Sequence, residues 1–287
     1  MIAVFTHELR SAFHSLSAYV FGALLLAVIG VGCLLYNIQA AVSNVEYVLG
    51  FSSAIFIVIV PLLTMRTLAG ERAQKTDQLL YSLPISTTAI VLGKYLALLV
   101  IFLLPLGLVA LDPLLFSCFG DVSLRTAYGS LFAFALAGAA LLALGLFLSS
   151  LTDNQGLAAG IGMAAILLNY CSVSLAEQFT STAFGSLVVV LAAVCGIYFL
   201  VEHVLSSSRA AFLVALCLMA VTSVVFLITP ESFEGLVPRI LADLSVFARL
   251  DTFVNGMFDL TGIVYFLSFA GLFLFLAVQS MEKRRYN

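Results

Sequence analysis

Long apolar stretches without charged residues recur along almost the whole chain. A Lys, Arg, Asp or Glu side chain at the centre of a membrane helix costs about 2.5–3.5 kcal/mol on insertion scales. An apolar window of about 17 residues or more that lacks these side chains is therefore a candidate membrane span. Eight windows meet this condition: 11–45 (apolar block 18–36), 47–65, 95–111, 126–152, 154–176, 178–201, 210–230 and 260–281. The pattern predicts an all-α polytopic membrane protein with about eight transmembrane helices.

The windows 178–201 and 210–230 are the least certain spans. Only residues 202–209 join them. They could form two full spans or a shallow hairpin, and the pattern leaves both interpretations open.

The composition of the chain agrees with a membrane protein. Of its 287 residues, 63% are hydrophobic and 9% are charged, and the mean hydropathy is +1.18, whereas soluble domains average about 25% charged residues. No stretch has the composition of a soluble domain, so we expect residues 1–287 to form a single transmembrane domain. The net charge of −3 argues against a nucleic-acid partner, which would need a clustered basic face.

The Lys and Arg residues predict the orientation, because they are enriched on the cytoplasmic side of membrane proteins. With the N-terminus inside and eight crossings, three of them lie outside: Arg125, Arg239 and Arg249. The other nine lie inside: Arg10, Arg66, Arg72, Lys75, Lys94, Arg209, Lys283, Arg284 and Arg285. Both termini are therefore predicted to be cytoplasmic (N-in, C-in).

Residues 1–16 have the pattern of an amphipathic helix. Phe5, Leu9, Phe13 and Leu16 recur at spacings of 4, 4 and 3, which places them on one helical face. Polar residues occupy the other face. This segment is expected to lie on the inner surface of the membrane.

Residues 66–94 are the largest predicted cytoplasmic loop. Their middle, from Glu71 to Leu83, is polar and compatible with a helix, and Pro84 would end that helix. Leu79, Leu80 and Leu83 form an apolar edge on it. The helix could be a solvated connector resting on lipid, or a docking surface for a soluble partner with apolar anchors and a charged rim.

Residues 149–155 form a short inner turn. Thr152 or Asp153 is a good candidate for the N-cap of the helix that follows.

Residues 230–259 are too long for a turn and too broken by polar residues for a span. Their apolar positions make a helical stripe: Leu236, Val237, Ile240, Leu241, Leu244 and Phe247. We predict a helical segment that lies in the outer interface or dips back into the protein, where it could cap a pathway or be a plain interfacial helix.

No catalytic or metal-binding motif is present in the sequence. The nearest approach to a phosphate-binding loop runs from Gly70 to Lys75 and Thr76, but Gln74 stands where its second glycine is required. The chain is therefore expected not to hydrolyse ATP itself. Ionisable residues are also scarce near the span centres, where an ion-coupled transporter would be expected to carry them.

Several stretches of the chain resemble the permease subunits of ABC-2 type exporters, and most closely the Gld-type (gliding-motility and copper-processing-like) set. The family loop reads E-x-x-x-G-T-x-E-x-L-L, then P-V-S and G-K. The matching residues here are 71–84 (ERAQKTDQLLYSLP), 84–86 (PIS) and 91–94 (VLGK). Lys75 replaces the family glycine, and Gln78 replaces its second glutamate. Similar matches occur at 148–155, 258–268 and 281–285, and the resemblance is weakest over 183–229.

The resemblance implies a half-transporter without a cofactor of its own, since ATP would bind to a separate cytoplasmic ABC ATPase. A second permease, identical or a paralogue, would complete a dimer, and an extracytoplasmic accessory subunit is implied as well. Residues 1–16 would be the elbow helix. The coupling helix around 76–83 would enter a cleft on the ATPase, and its site residues would be Glu71, Thr76, Asp77, Gln78, Leu79, Leu80, Leu83 and Pro84.

The implied function is the membrane subunit of an ATP-driven exporter in the cytoplasmic membrane of a prokaryote. Two alternatives remain open. One is a secondary transporter driven by an ion gradient, and the other is a non-transporting membrane subunit through which the same ATPase acts on a scaffold or envelope partner. The substrate cannot be derived from the sequence.

Overall fold

The computed structural model describes residues 1–40, 42–76, 85–178 and 235–286, with a few single positions between 185 and 226. All regular elements in these residues are helices. The chain divides into two compact units. One comprises Met1–Tyr170 and Val246–Asn287, and the other comprises Cys171–Ser245.

The helices follow one another with short connections. In chain order they are α1 (Ile2–His14), α2 (Leu16–Gly32, continued by a π-helix over Cys33–Gln39), α3 (Glu46–Ser52), α4 (Phe56–Thr64), α5 (Leu68–Ala73), α6 (Thr87–Val109), α7 (Asp112–Ser117), α8 (Leu124–Leu151), α9 (Gln155–Gln178), α10 (Leu236–Asp243), α11 (Val246–Val254) and α12 (Leu260–Tyr286).

Six helical stretches among the described residues are long and apolar enough to cross a membrane. They are Ala18–Gln39, Glu46–Ala73, Thr87–Ser117, Leu124–Leu151, Gln155–Ser172 and Leu260–Arg284. They correspond to the first five predicted windows and the last one, so the chain is an all-α polytopic membrane protein. The windows 178–201 and 210–230 lie almost entirely outside the described residues, and the N-in, C-in orientation stays a prediction.

The core of the larger unit is a cluster of aromatic rings around α4, α6 and α8. Phe56, Phe102 and Phe134 are each at most 1% exposed. The rings of Phe56 and Phe134 lie 4.6 Å apart, and that of Phe102 lies 5.8 Å from Phe56. Gly138 makes this packing possible, because a Cβ atom there would lie 2.3 Å from the Phe102 ring.

Residues 235–259 form two helices and not the continuous apolar stripe that the sequence predicted. The stripe breaks at Leu244, which is 54% exposed, whereas Phe247 one turn later is 4% exposed. The amide oxygen of Asn169 on α9 accepts from the backbone N–H of Val246 at 3.0 Å and so caps α11. The backbone carbonyl of Phe253 accepts from the Ser130 hydroxyl on α8 at 2.9 Å. α11 is therefore packed into the protein; residues 230–234 lie outside the described part.

The turn between α8 and α9 is capped by a residue that the sequence analysis did not choose. The side-chain oxygen of Asn154 accepts from the N–H of Gly156 at 2.9 Å, which is the N-cap bond of α9. Thr152 instead accepts from the N–H of Asn154 at 3.2 Å. The prediction of Thr152 or Asp153 was wrong because three residues with capping side chains stand next to each other, and α9 begins one residue later than expected.

A Schellman motif ends α5 immediately before residues 77–84. The N–H of Lys75 donates to the Arg72 carbonyl at 2.9 Å, and that of Thr76 donates to the Glu71 carbonyl at 3.0 Å. The Thr76 hydroxyl bonds to the same Glu71 carbonyl at 3.1 Å. Lys75 adopts a φ of +58°, so the helix predicted to run on from Glu71 is interrupted there.

Replacing Gly138 with Ala should destabilise the protein by about 1–3 kcal/mol, the usual cost of overpacking a core. The added methyl group would collide with Phe102, which is itself held between two other rings. The matched control is Gly107→Ala on α6, where a Cβ atom would meet nothing within 4 Å. Thermal unfolding in detergent should show a lower midpoint for G138A only; equal midpoints would contradict the packing described.

Replacing Lys75 with Gly should stabilise the end of α5 by about 1 kcal/mol, because a left-handed conformation costs a side chain about 1–2 kcal/mol and glycine almost nothing. Gln74→Gly serves as the control, because Gln74 has a φ of −91° in the helical region and glycine should weaken the helix there. The thermal midpoint should rise for K75G and fall for Q74G. A fall for both would contradict the strain at Lys75.

Candidate functional site

A buried lysine joins three helices at the end of the larger unit that leads into residues 77–84. Lys94 on α6 is 1% exposed. Its Nζ atom lies 2.5 Å from the Oε1 atom of Glu8 on α1, and it also donates to Glu71 on α5. A lone ammonium group is costly to bury, so the two carboxylates are what makes this position tolerable. We call Glu8, Glu71 and Lys94 the lysine cluster.

Lys94 is buried because α6 starts earlier than the apolar window 95–111 indicated. The Ser86 hydroxyl accepts from the N–H of Ala89 at the N-terminus of α6, which begins at Thr87. Lys94 therefore lies two turns inside the helix, at the end of the segment predicted as a loop. The apolar run 89–93 just before Lys94 was the signal in the sequence for this earlier start.

A second group of charges lies beside the lysine cluster and ties α5 to the other side of the bundle. Arg72 donates to the Ser150 carbonyl, and its Nη1 atom lies 3.8 Å from the Oδ1 atom of Asp153. Asp153 also pairs with Arg284 on α12, whose Nη2 atom donates to the Leu151 carbonyl at 2.9 Å. We call Arg72, Asp153 and Arg284 the arginine cluster. It joins α5 to the turn after α8 and to the end of α12.

The two clusters meet at neighbouring residues of α5. Glu71 belongs to the lysine cluster, and Arg72 belongs to the arginine cluster. The N–H of Ala69 adds a hydrogen bond of 3.0 Å to the Ser149 hydroxyl. A helix of six residues is thus anchored on two sides, directly before the segment that was predicted to dock a partner. A displacement of α5 would have to move α1 and α6 on one side, and the α8–α9 turn and α12 on the other.

The first helix, α1, packs along α6. Val4 is buried, and a Cβ atom on Gly93 of α6 would lie 3.1 Å from the Val4 Cβ atom. Leu9 and Phe13 pack against the core, and Phe5 is half-buried. Leu16 does not share this face: the chain turns at Ser15, which is extended (φ −95°, ψ 154°), and Leu16 begins α2 with 78% of its surface exposed. The predicted apolar stripe therefore ends at Phe13.

A cavity of about 660 Å³ opens between α1, α5 and the start of α6. Val4, Glu8 and Glu71 line it. Thr76 and Ile85 line it too, and these are the described residues on either side of 77–84. The residues that flank 77–84 on both sides therefore line one cavity, beside the lysine cluster.

Of the predicted coupling residues, Glu71 and Thr76 are described, and both have intramolecular partners. Asp77, Gln78, Leu79, Leu80, Leu83 and Pro84 lie outside the described residues. The sequence analysis did not single out Glu8, Arg72, Lys94, Asp153 or Arg284 as an interacting set, because their pairing depends on tertiary contacts. In the described part of the chain, no group of three or more His, Cys, Asp or Glu side chains could hold a metal ion.

Comparison with known proteins identifies the family. The family model described as ABC-2 family transporter protein matches residues 35–180, just over half of the chain, and this range includes α3 to α9. It contains Glu71 and Lys94 of the lysine cluster and Arg72 and Asp153 of the arginine cluster. No curated protein matches the chain. ABC-2 permeases are membrane subunits and not ATPases, and the chain, a multi-pass membrane protein, belongs to the ABC-2 transporter family.

Proposed function

We propose that the chain is the permease subunit of an ATP-driven ABC-2 exporter of the Gld type, located in the cytoplasmic membrane of a prokaryote. It would form the translocation path with a second permease, identical or a paralogue. A separate cytoplasmic ABC ATPase would supply the energy, and an extracytoplasmic accessory subunit would complete the assembly. The chain itself would perform no covalent chemistry.

The double anchoring of α5 is the observation that carries this proposal. A segment that receives force from an ATPase needs a rigid connection to the spans that must move. The Schellman motif fixes the end of α5, and Thr76, the first residue after Lys75, holds the Glu71 carbonyl with both its N–H and its hydroxyl. Movement of 77–84 would therefore be transmitted to α5 rather than absorbed by a loose loop.

The two clusters would transmit that movement to different helices. Glu71 would transmit it through Lys94 to α6 and through Glu8 to α1. Arg72 would transmit it through Asp153 and Arg284 to the α8–α9 turn and α12. The span pairs on the two sides of α5 would then move relative to one another, which is the kind of rearrangement that opens a path between packed helices.

The position of the buried charges favours this proposal over a mechanism driven by an ion gradient. Among the described residues, the buried Asp, Glu, Lys and Arg side chains are Glu46, Arg72 and Lys94. All three lie within about two turns of an end of their spans, and none lies at a span centre, where a coupling ion would be expected to bind. Transport that persists after ATP depletion and responds to an ion gradient would favour the secondary transporter. ATPase activity without flux in reconstituted vesicles would favour the non-transporting subunit.

Replacing Leu79, Leu80 and Leu83 together with Ala should release the ATPase from the permease. Apolar anchors of a docking surface contribute about 2 kcal/mol or more when they are central to it, which corresponds to a roughly thirtyfold weaker complex. The measurement is the amount of Walker-motif ATPase that co-purifies with the tagged permease in mild detergent, with its ATPase activity.

The matched control replaces Leu103, Leu104 and Leu108 on α6 with Ala. These three side chains are 39–54% exposed on the bundle surface, so the same chemical change falls on a face that would contact lipid. Both variants should keep the thermal midpoint of the permease. Equal recovery of the ATPase with both variants would overturn the assignment of residues 79, 80 and 83.

Replacing Lys94 with Met should destabilise the permease, because Glu8 and Glu71 would lose their shared counter-charge. Removing one partner of a buried ion pair costs about 3–5 kcal/mol, and the partial exposure of both carboxylates places the expected loss near the lower limit. The triple variant Glu8→Gln, Glu71→Gln, Lys94→Met should recover part of the loss. Arg10→Met, which removes an exposed cation of α1, should have no clear effect on thermal unfolding. A triple variant no more stable than K94M would show that Lys94 does not act through these carboxylates.

A further inference from the structure

Arg66 differs from Arg72, Lys94 and Arg284, the basic residues of the two clusters. It lies between α4 and α5, in the last two turns of the span Glu46–Ala73. Its side chain is exposed, and it makes no hydrogen bond or ion pair with any residue that the structure describes. Arg72, Lys94 and Arg284 are all paired. A guanidinium group near the end of a membrane span that lacks a partner within the protein is available to an anion from outside it.

An apolar groove of about 180 Å³ leads away from Arg66 along the surface of the bundle, between α2 and α4. Leu16, Val20, Leu24 and Leu62 line its sides, and they are 37–78% exposed. Buried residues, among them Phe21 and Ile59, form its floor. A groove of this composition, open to the bundle surface, suits a hydrocarbon chain.

A more polar cavity of about 200 Å³ lies on the other side of Arg66. Arg66 and Leu63 line both this cavity and the apolar groove. The polar cavity also has the hydroxyl groups of Ser11, Ser15 and Thr67 in its lining. Glu8 and Lys94 line it as well, but there the carboxylate is already paired with the ammonium group. Arg66 is therefore the cation that an incoming anion would meet.

We propose that Arg66 and the groove between α2 and α4 bind an anionic phospholipid. The phosphate would lie on the Arg66 guanidinium, which can donate two parallel hydrogen bonds to it. One acyl chain would lie along Leu16, Val20, Leu24 and Leu62. The lipid source is the leaflet on the side of α1 and α5, which the charge bias predicts to be cytoplasmic. The proposal concerns binding, and it does not depend on the ATPase.

Charge complementarity selects this occupant over a second copy of the chain. The residues that line the groove include no Asp or Glu, so a second copy that met it through the same groove would bring no counter-charge to Arg66. A phospholipid supplies the anion and the hydrocarbon in one molecule.

The test is native mass spectrometry of the full-length permease in detergent, titrated with dioleoylphosphatidylglycerol and, separately, with dioleoylphosphatidylcholine. The native protein should retain one phosphatidylglycerol molecule more tightly than any phosphatidylcholine. Arg66→Gln should weaken that binding about tenfold or more, since it removes a charge-assisted bidentate contact. Arg66→Lys should recover only part of it, because an ammonium group is not a planar fork.

Two further variants make the outcome specific. Val20→Trp fills the groove and leaves every charge in place, so it should weaken binding if the acyl chain lies there. Arg10→Gln removes an exposed arginine of α1 that does not line the groove, so it should leave binding unchanged. The thermal midpoint of each variant in detergent checks that the variant is folded. If R66Q does not fold, V20W still tests whether the groove binds the lipid.

Three results would overturn the proposal. Equal weakening by R66Q and R10Q would mean a general attraction of lipid to surface charge. Equal affinity for the two lipids would mean that the headgroup charge is not recognised. A change of oligomeric state in R66Q or V20W, with phosphatidylglycerol binding intact, would mean that a second copy of the chain covers the groove. None of these results bears on ATPase docking, because the ATPase is absent from the experiment.

Discussion

The burial of the Lys94 ammonium group is the constraint on which the end of the larger unit beside residues 77–84 depends. An ammonium group two turns inside a membrane helix, 1% exposed, must have counter-charges within hydrogen-bonding distance or become neutral. Glu8 and Glu71 supply them from two different helices. The requirement for charge pairing therefore holds α1 and α5 against α6, in addition to the close packing of Val4 on Gly93.

The same requirement explains why α5 can be short and still rigid. A helix of six residues has too few hydrogen bonds to be stable by itself. Two neighbouring residues of α5 carry opposite charges and pair with different parts of the bundle. Glu71 pairs with Lys94 of α6, and Arg72 pairs with Asp153 in the turn after α8. The C-terminal carbonyls are satisfied by the N–H groups of Lys75 and Thr76. Ion pairs with other elements and a C-cap therefore stabilise α5, which is too short to be stable through helix propensity alone.

The sequence predicted the features that depend on local pattern. Six of the eight apolar windows correspond to candidate spans among the described residues. Leu9 and Phe13 lie in one helix, as their spacing indicated, but they pack against the protein core, and the position of that helix on the membrane surface stays a prediction. It missed the features that depend on contacts between distant residues. Lys94 was placed in a loop because a charge closes an apolar window, whereas Glu8, 86 residues away, permits its burial. Likewise, the end of α5 at Lys75 was not predicted. The family glycine that Lys75 replaces was the one signal for it, because glycine is the residue that ordinarily adopts a positive φ.

The distribution of charge and aromatic packing constrains how such a bundle can move. The centre of the larger unit is filled by Phe56, Phe102 and Phe134, packed against a glycine with no room for a Cβ atom, and interiors of this density resist gradual deformation. The ionic contacts lie at the end beside 77–84, where Glu8, Glu71, Asp153 and Arg284 are partly exposed, although Lys94 and Arg72 are buried. We therefore expect whole helices to move as rigid bodies. The movement would begin at the charged end, and the packed aromatic rings at the centre would oppose it. Such a movement is the kind that the proposed coupling to a separate ATPase would require.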